Sequence, residues 1–336
     1  MTQIIYIKPR SAFQYPLYSD TIFGAMCAGI RTIYGNECLE DLIDRFKGEK
    51  IPFLVSSAFP FVEYNNKKVH FFPKPITKLP EIKELDRSES DYEYRDKLKK
   101  SKDFNKVKYV SEDLFNKLIS GEIKDIELIE NLKSKYEVKS GLLFNKINKK
   151  LDFKIITLDS ARNKINRFIG TSEEIFYSTG TYFKNAGLFF IINYFENYYK
   201  KIIESALRFL EDKGIGGDTS VGRGQFECKI EDNNTNLIKE PEEPNAILTL
   251  SLYHPSEEEI EKYSDKEIWY KLLTRKGRSF NGCWKKSIKL FVEGSTFPDI
   301  ELDKYGSIEN VLEQKVSGLD HDILEYGIAF PIKIKR

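Results

Sequence analysis

Residues 214–226 read GIGGDTSVGRGQF. Five glycines fall within residues 214–224, mixed with Asp218, Thr219, Ser220 and Arg223. Glycine at that density admits backbone with positive φ and lets amides crowd against a ligand where side chains would otherwise intrude. Upstream, residues 198–213 space their apolar side chains as a helix does, at Ile202, Ile203, Ala206, Leu207, Phe209 and Leu210. Gly214 then stands where a glycine that ends a helix belongs. Downstream, residues 225–230 alternate apolar and polar as a short strand does. The order is helix, loop, strand. A Walker phosphate loop or a Rossmann turn runs strand, loop, helix and seats its anion on a helix N-terminus. The reversed order, and the lack of a lysine followed by serine or threonine at the loop's end, argue against a nucleoside triphosphate site. Two readings remain: a surface loop that only turns the chain, or a cradle in which Gly214, Gly216, Gly217, Gly222 and Gly224 bring backbone to a ligand.

A chain of 336 residues has room for two domains of ordinary size. Its 53 Lys and Arg against 52 Asp and Glu exclude a uniformly basic nucleic-acid binder and leave a local basic patch open. Cys27, Cys38, Cys228 and Cys283 show no CxxC spacing and follow no leader, so they read as buried free thiols of a reducing cytoplasm. No apolar run is long enough to span a bilayer. The expectation is a soluble cytoplasmic protein with no membrane partner, no metal and no cofactor.

In chain order, residues 3–8 alternate as a first strand. In the segment PLYSDTIFGAMCAGIRTIYG, residues 16–35, Ser19 suits a helix N-cap, and Asp20 and Thr21 suit a first turn. Ile22, Phe23, Met26, Cys27, Ile30 and Ile33 make the apolar face of that helix, with Gly24, Ala25, Ala28 and Gly29 keeping part of it small. Residues 51–62 and 68–72 read as a hairpin about an Asn-rich turn, so the chain runs strand, helix, strand, strand. From 74 to 150 charge is dense, which reads as a partly helical insertion with helix spacing at 113–118. Its most basic part, 97–108, is either a solvated face or a thumb that meets a partner or RNA.

Residues 153–158 and 186–194 read as strands, and between them lies Arg162-Asn163-Lys164-Ile165-Asn166-Arg167. Arginine makes planar two-pronged contacts to phosphates and base edges, and asparagine does the same to adenine. Past the glycine loop, residues 231–267 are acidic and contain the proline-rich 240–244, a boundary signal. Strands at 246–254 and 268–274 flank a capped helix at 256–263, and a strand at 325–335 closes the chain. Residues 271–289 hold seven basic residues and no acid. There Arg275, Arg278, Lys285 and Lys286 interleave with Phe280 and Trp284, as a single-stranded RNA surface or the tip of a solvated hairpin would. Catalytic signals are thin. His70, His254 and His321 fall in no metal or relay spacing, and no nucleophile elbow or paired carboxylates stand out.

Four of these pieces resemble the RAMP superfamily of CRISPR RNA-binding proteins: SDTIFGA at 19–25, RNKINR at 162–167, the loop with its late Gly-Arg-Gly, and YGIAFP at 326–331. The likeness is strongest to the Cas5-group subunit of the type III-A (Csm) effector complex and weakest over 74–150. It implies an α+β fold of two ferredoxin-like (RRM-like) domains. The first would span 1–230, with an insertion at about 74–150 and the glycine-rich loop at 214–224; the second would span 245–336. It implies a non-catalytic subunit of an antiviral complex that holds the repeat-derived 5′ handle of CRISPR RNA (crRNA). That subunit docks on the large polymerase-like subunit and on the repeated backbone subunit, with target RNA nearby. By the same resemblance Arg223 and the loop amides, with Thr219 and Ser220, hold phosphates. Arg162, Asn163, Asn166 and Arg167 read handle bases, Ser19 and Asp20 add contacts, and Arg275, Arg278, Lys285 and Lys286 extend the surface. Two alternatives stay open: an endoribonuclease of the same superfamily that processes precursor crRNA, and an interaction protein without RNA affinity. Nucleases of the superfamily keep the loop near the C-terminus, whereas residues 225–336 follow it here, which favours the structural subunit.

Overall fold

The computed structural model describes residues 1–13, 15–65, 67–78, 91–146, 151–233, 236–277, 284–312 and 323–336. Strand β1 (Thr2–Pro9) is followed by helices α1 (Ser19–Tyr34) and α2 (Asn36–Lys47) and strands β2 (Phe53–Val55), β3 (Phe59–Tyr64) and β4 (Lys67–Pro73). Then come α3 (Asp91–Phe104), β5 (Tyr109–Ser111), α4 (Glu112–Ile119), α5 (Asp125–Glu130), β6 (Tyr136–Lys139) and β7 (Leu142–Asn145). Strands β8 (Lys154–Asn166), β9 (Thr171–Lys184) and β10 (Ala186–Tyr194) lead to α6 (Tyr198–Lys213) and β11 (Phe226–Asp232). The remainder is β12 (Ala246–Thr249), α7 (Glu257–Tyr263), β13 (Leu272–Arg275), β14 (Ile288–Phe291), β15 (Thr296–Pro298), β16 (Gly306–Asn310), β17 (Leu324–Ile328) and β18 (Pro331–Ile334).

The main sheet runs β11-β1-β10-β3-β4-β5-β7-β6, with β2 also paired to β10. Its first four strands have the 4-1-3-2 order of a ferredoxin-like unit, counting β1, β3, β10 and β11 as its strands. Helices α1 and α6 pack on one face, where Gly29 meets Ala206 and the Gln3 side chain donates to Glu204. The sequence pattern made the hairpin at 68–72 the third strand of this unit. The structure gives that place to β10 instead. AGLFFIINY is apolar along almost its whole length and so sits best with a strand on each side, between β1 and β3. The chain inserted between β3 and β10 is therefore 65–185, wider than the expected 74–150. It carries β4, the partly helical segment and the β8–β9 ribbon.

The outer edge of β11 is covered by α6. Glu211 accepts from the Cys228 amide and Arg208 donates to the Cys228 carbonyl, which blunts an otherwise open strand edge. Of the cysteines read as buried, Cys228 is buried and Cys27 and Cys38 are half-buried. Burial pushes the Cys27 and Cys228 thiols up to about 12 and raises that of Cys38, and Cys283 lies outside the described residues. Past 245, strands divide among three small sheets: β15-β12-β18, β13-β14 and β16-β17. Ser256 and Glu259 cap α7 reciprocally, as the sequence expects. Ala246, Leu248, Tyr326, Ile328 and Ile332 join the same apolar core as β1, β10, α1 and α6, so the C-terminal part shares a core with the first unit. Among the described residues no helix is long and apolar enough to cross a membrane.

Candidate nucleic-acid interface

Helix α6 ends where its apolar spacing does, with the Gly214 amide donating to the Leu210 carbonyl. The loop then closes on itself. Ile215 N donates to Gly224 O, Gly224 N donates to Ala12 O, and Val221 N and Arg223 N both donate to Asp218 O. These bonds tie down the two ends and leave the crest, residues 217–222, facing solvent. Thr219 and Ser220 sit on that crest, within a single turn of 3-10 helix.

The loop abuts the base of β8–β9, a two-stranded ribbon whose outer part is exposed on both faces among the described residues. Arg223 makes the join. Its side chain is buried, Nη2 donates to Ser178 O at 2.8 Å, and Nη1 donates to Thr179 O. Ser178 Oγ donates to Asp218 Oδ2 at 3.1 Å. A methyl group on Gly180 would come within 2.8 Å of Ala12 Cβ and 3.4 Å of Arg223 Nη1, so only glycine lets the ribbon seat this closely. The expected role of Arg223 as a direct phosphate ligand is thus corrected: its two terminal nitrogens hold the ribbon. Nε is buried without a partner among the described residues.

Side chains alternate between ribbon faces. Arg162 pairs across from Phe176, one step beyond Ser160–Ser178, on the face that meets the glycine loop. Asn163 pairs across from Ile175 and points to the other face. The basic patch at 162–167 is therefore split between two faces, because a strand alternates where a loop need not. Asn166 is engaged in the turn, donating to Glu173 at 2.6 Å and accepting from Phe168 N. The side chains of Arg162 and Arg167 have no hydrogen-bond or ion-pair partner among the described residues. The ribbon also exposes Leu158, Phe168, Ile169, Ile175, Phe176 and Tyr177. The sequence reading passed over these; the adjacent apolar residues Phe168-Ile169 and Ile175-Phe176-Tyr177 were the available signal.

The other residues expected at RNA lie elsewhere. The Ser19 hydroxyl is fully buried and accepts from Leu252 N at 3.0 Å, so it does not cap α1 and does not face solvent. Asp20 is buried and bound to Arg275 Nε at 2.6 Å, and Lys285 Nζ reaches Glu325 at 2.6 Å. Ser19 with the Leu252 amide and Asp20 with Arg275 thus fasten α1 to the C-terminal part, while Lys285 pairs within that part. The physical reason is burial: a carboxylate removed from water needs a fixed cation beside it. Lys286 stays exposed, and Arg278 lies outside the described residues. His70 is buried between Tyr6 Oη at 2.8 Å and Glu112 at 3.1 Å, and His254 stands beside Ser307. His321 lies outside the described residues.

The same junction holds two carboxyls pushed upward. Burial raises Glu293 to about 7, and burial with the neighbouring Asp20 raises Glu325. A carboxyl raised in the folded state stabilises below its ordinary range, and that contribution is lost as pH climbs through the raised value. Thermal stability is expected to fall between about pH 5 and about pH 8, with Glu293 contributing on the order of 2–3 kcal/mol of the change. Scanning calorimetry of Glu293→Gln against wild type checks this: the variant's curve is expected to be flatter, and parallel curves would refute the assignment.

Comparison with known proteins agrees with this geometry. A model of the RAMP superfamily matches residues 10–227, and a model of the CRISPR Csm4 C-terminal domain matches residues 242–334. The CRISPR system Cms protein Csm4 of Thermococcus onnurineus (strain NA1) is 25% identical over 337 residues, covering 100% of this chain and 98% of that protein. The protein of the same name from Methanocaldococcus jannaschii is 28% identical over 282 residues, covering 76% of this chain and 65% of that protein. Among solved structures, the Csm3-Csm4 subcomplex of the type III-A CRISPR-Cas interference complex contains a chain similar in fold. The TM-score is 0.66 at 18% identity, covering 99% of this chain and 100% of that one. A chain of the Csm1-Csm4 cassette in complex with pppApA gives 0.60 at 19% identity, covering 99% and 98%. The glycine loop falls inside the first family match together with α1, β3, β10 and α6, that match spans more than half of the chain, and the protein belongs to the RAMP superfamily.

Proposed function

We propose that the protein is a non-catalytic RNA-binding subunit of a type III-A CRISPR interference complex, holding the repeat-derived 5′ handle of crRNA. It docks on the large polymerase-like subunit and on the neighbouring repeated backbone subunit. The observation that carries the RNA reading is the seating of the glycine loop on the ribbon. Ser178 binds the loop's Asp218, and the next pair outward on that face is Arg162 with Phe176, a cation beside an exposed ring. Charge for phosphates beside rings for bases is what an extended RNA strand needs. At about 3.3 Å per residue, strands of 13 and 14 residues give the ribbon a reach of about 40 Å. That length brings its exposed apolar tip toward RNA beyond the handle, including the target. The partners are supported by relatives whose structures are a Csm3-Csm4 subcomplex and a Csm1-Csm4 cassette.

The test is binding and cleavage of labelled crRNA carrying its handle or a scrambled one, with the large subunit co-expressed, across salt. Wild type is expected to bind in a handle-dependent way without scission. Arg162→Ala/Arg167→Ala is expected to keep its fold and lose about 1–3 kcal/mol for each arginine that reads a base. Equal binding of both RNAs would remove the handle from the reading, and specific scission would install the nuclease.

A further inference from the structure

Charge is segregated within the insertion. Residues 95–108 and 131–146 together hold eleven basic residues and three acidic ones, whereas residues 109–130 hold six acidic and two basic. The fold brings the two basic segments onto one surface. Lys106 and Lys133 both reach Asp103, at 3.0 and 3.3 Å, and Lys146 Nζ donates to the Lys133 carbonyl at 3.2 Å. Lys146 N donates to Lys135 O, and Lys100 reaches the Glu130 carbonyl. The two lysines hold the Asp103 carboxyl below its usual range. This surface lies at the β6–β7 end of the main sheet, seven strand positions from β11 and the glycine loop. At about 4.8 Å per strand, that is a separation of about 30 Å.

We propose that this lysine face is a second, sequence-independent binding surface for the phosphate backbone of single-stranded RNA, separate from the loop and ribbon. Two observations choose RNA over a protein partner. Among the described residues from 95 to 146 no large apolar side chain is exposed, and a protein interface needs an apolar or aromatic centre. Lysine is depleted at such interfaces, yet it is a common partner of phosphate. The lack of exposed rings also distinguishes the face from the ribbon: it meets backbone and leaves bases unread. Asp103 serves it by keeping Lys106 and Lys133 side by side, so that a phosphate need not pull together two lysines that repel each other.

The experiment measures affinity of the full chain for a labelled single-stranded RNA of non-repeat sequence, over a range of potassium chloride concentrations. The face variant is Lys106→Ala/Lys133→Ala/Lys135→Ala/Lys146→Ala, and the control removes four exposed lysines elsewhere, Lys50→Ala/Lys201→Ala/Lys262→Ala/Lys266→Ala. The face variant is expected to bind at least about tenfold more weakly at low salt. Its salt slope should fall by about one for each phosphate no longer neutralised, for every sequence tried. The control should match wild type. The proposal is overturned by an unchanged slope in the face variant, by a control that weakens equally, or by absence of RNA binding in wild type. Tighter binding of labelled polyglutamate than of RNA would also overturn it and assign the face to an acidic protein.

Discussion

Gly224→Ala is expected to destabilise the protein by about 3 kcal/mol or more and to abolish RNA binding through the glycine loop. A Cβ at this position would lie 2.1 Å from the Ile215 carbonyl oxygen and 3.1 Å from its carbon. Both are backbone atoms, held in place because Ile215 N donates to Gly224 O while Gly224 N donates to Ala12 O. Neither can rotate away. The position also has φ of +70°, which disfavours any residue with a side chain. Gly222→Ala is the internal comparison. Its φ is +82°, but nothing lies within 4 Å of the added methyl, so about 1–2 kcal/mol of conformational strain is all that is expected. Calorimetry of the two variants separates them. If Gly224→Ala is no less stable than Gly222→Ala, the clash has been relieved by loop movement and the closed loop is not a fixed feature.

Arg223→Met is expected to cost about 2–4 kcal/mol and to free the base of the ribbon. The substitution keeps most of the buried stem and removes the two donors to the part-buried carbonyls of residues 178 and 179. Hydrogen exchange should report faster opening of β9 near Ser178, while amides paired between β1 and β10 keep their protection. RNA affinity should fall as well, because Arg162 and Phe176 lose their fixed place beside the loop crest. Arg223→Lys keeps the charge but cannot span two carbonyls with a planar fork. Full rescue by lysine would show that charge rather than geometry is what the site needs, and would return Arg223 to the role of phosphate ligand.

Several elements are legible in the order of residues. Helix α6 begins and ends at the residues its apolar spacing marks, 198–213, and β10 occupies 186–194 as its apolar run suggests. Those are local properties. A period of 3.6, or an unbroken apolar run closed by polar residues, leaves few conformations that bury it. The helix-loop-strand order around Gly214 likewise excludes a nucleotide loop from chain order alone. The ribbon is half legible. Its first residues read as a strand, but 162–167 read as a patch, because a ribbon with no buried face does not show the half-apolar alternation that a core imposes.

Other features depend on residues far apart in the chain. By residue type Asp20, Arg275, Lys285 and Glu325 pass for surface charges, yet Asp20 and Arg275 meet across 255 positions and Lys285 meets Glu325 in the same junction. Arg223 sits in a loop that reads as ligand-binding, and only the arrival of β9 turns its guanidinium inward. The place of β10 between β1 and β3 is of the same kind, since several apolar strands compete for the centre and the winner depends on how the helices cover them. Helices α1, α4, α6 and α7, the glycine loop and the family resemblance follow from the amino-acid order, because each rests on neighbours within a few turns of chain, whereas α2 was not read from it. Which charges stay exposed and which fasten the fold was settled by long-range packing, because burial, not residue type, determines whether a charge must find its partner inside the protein.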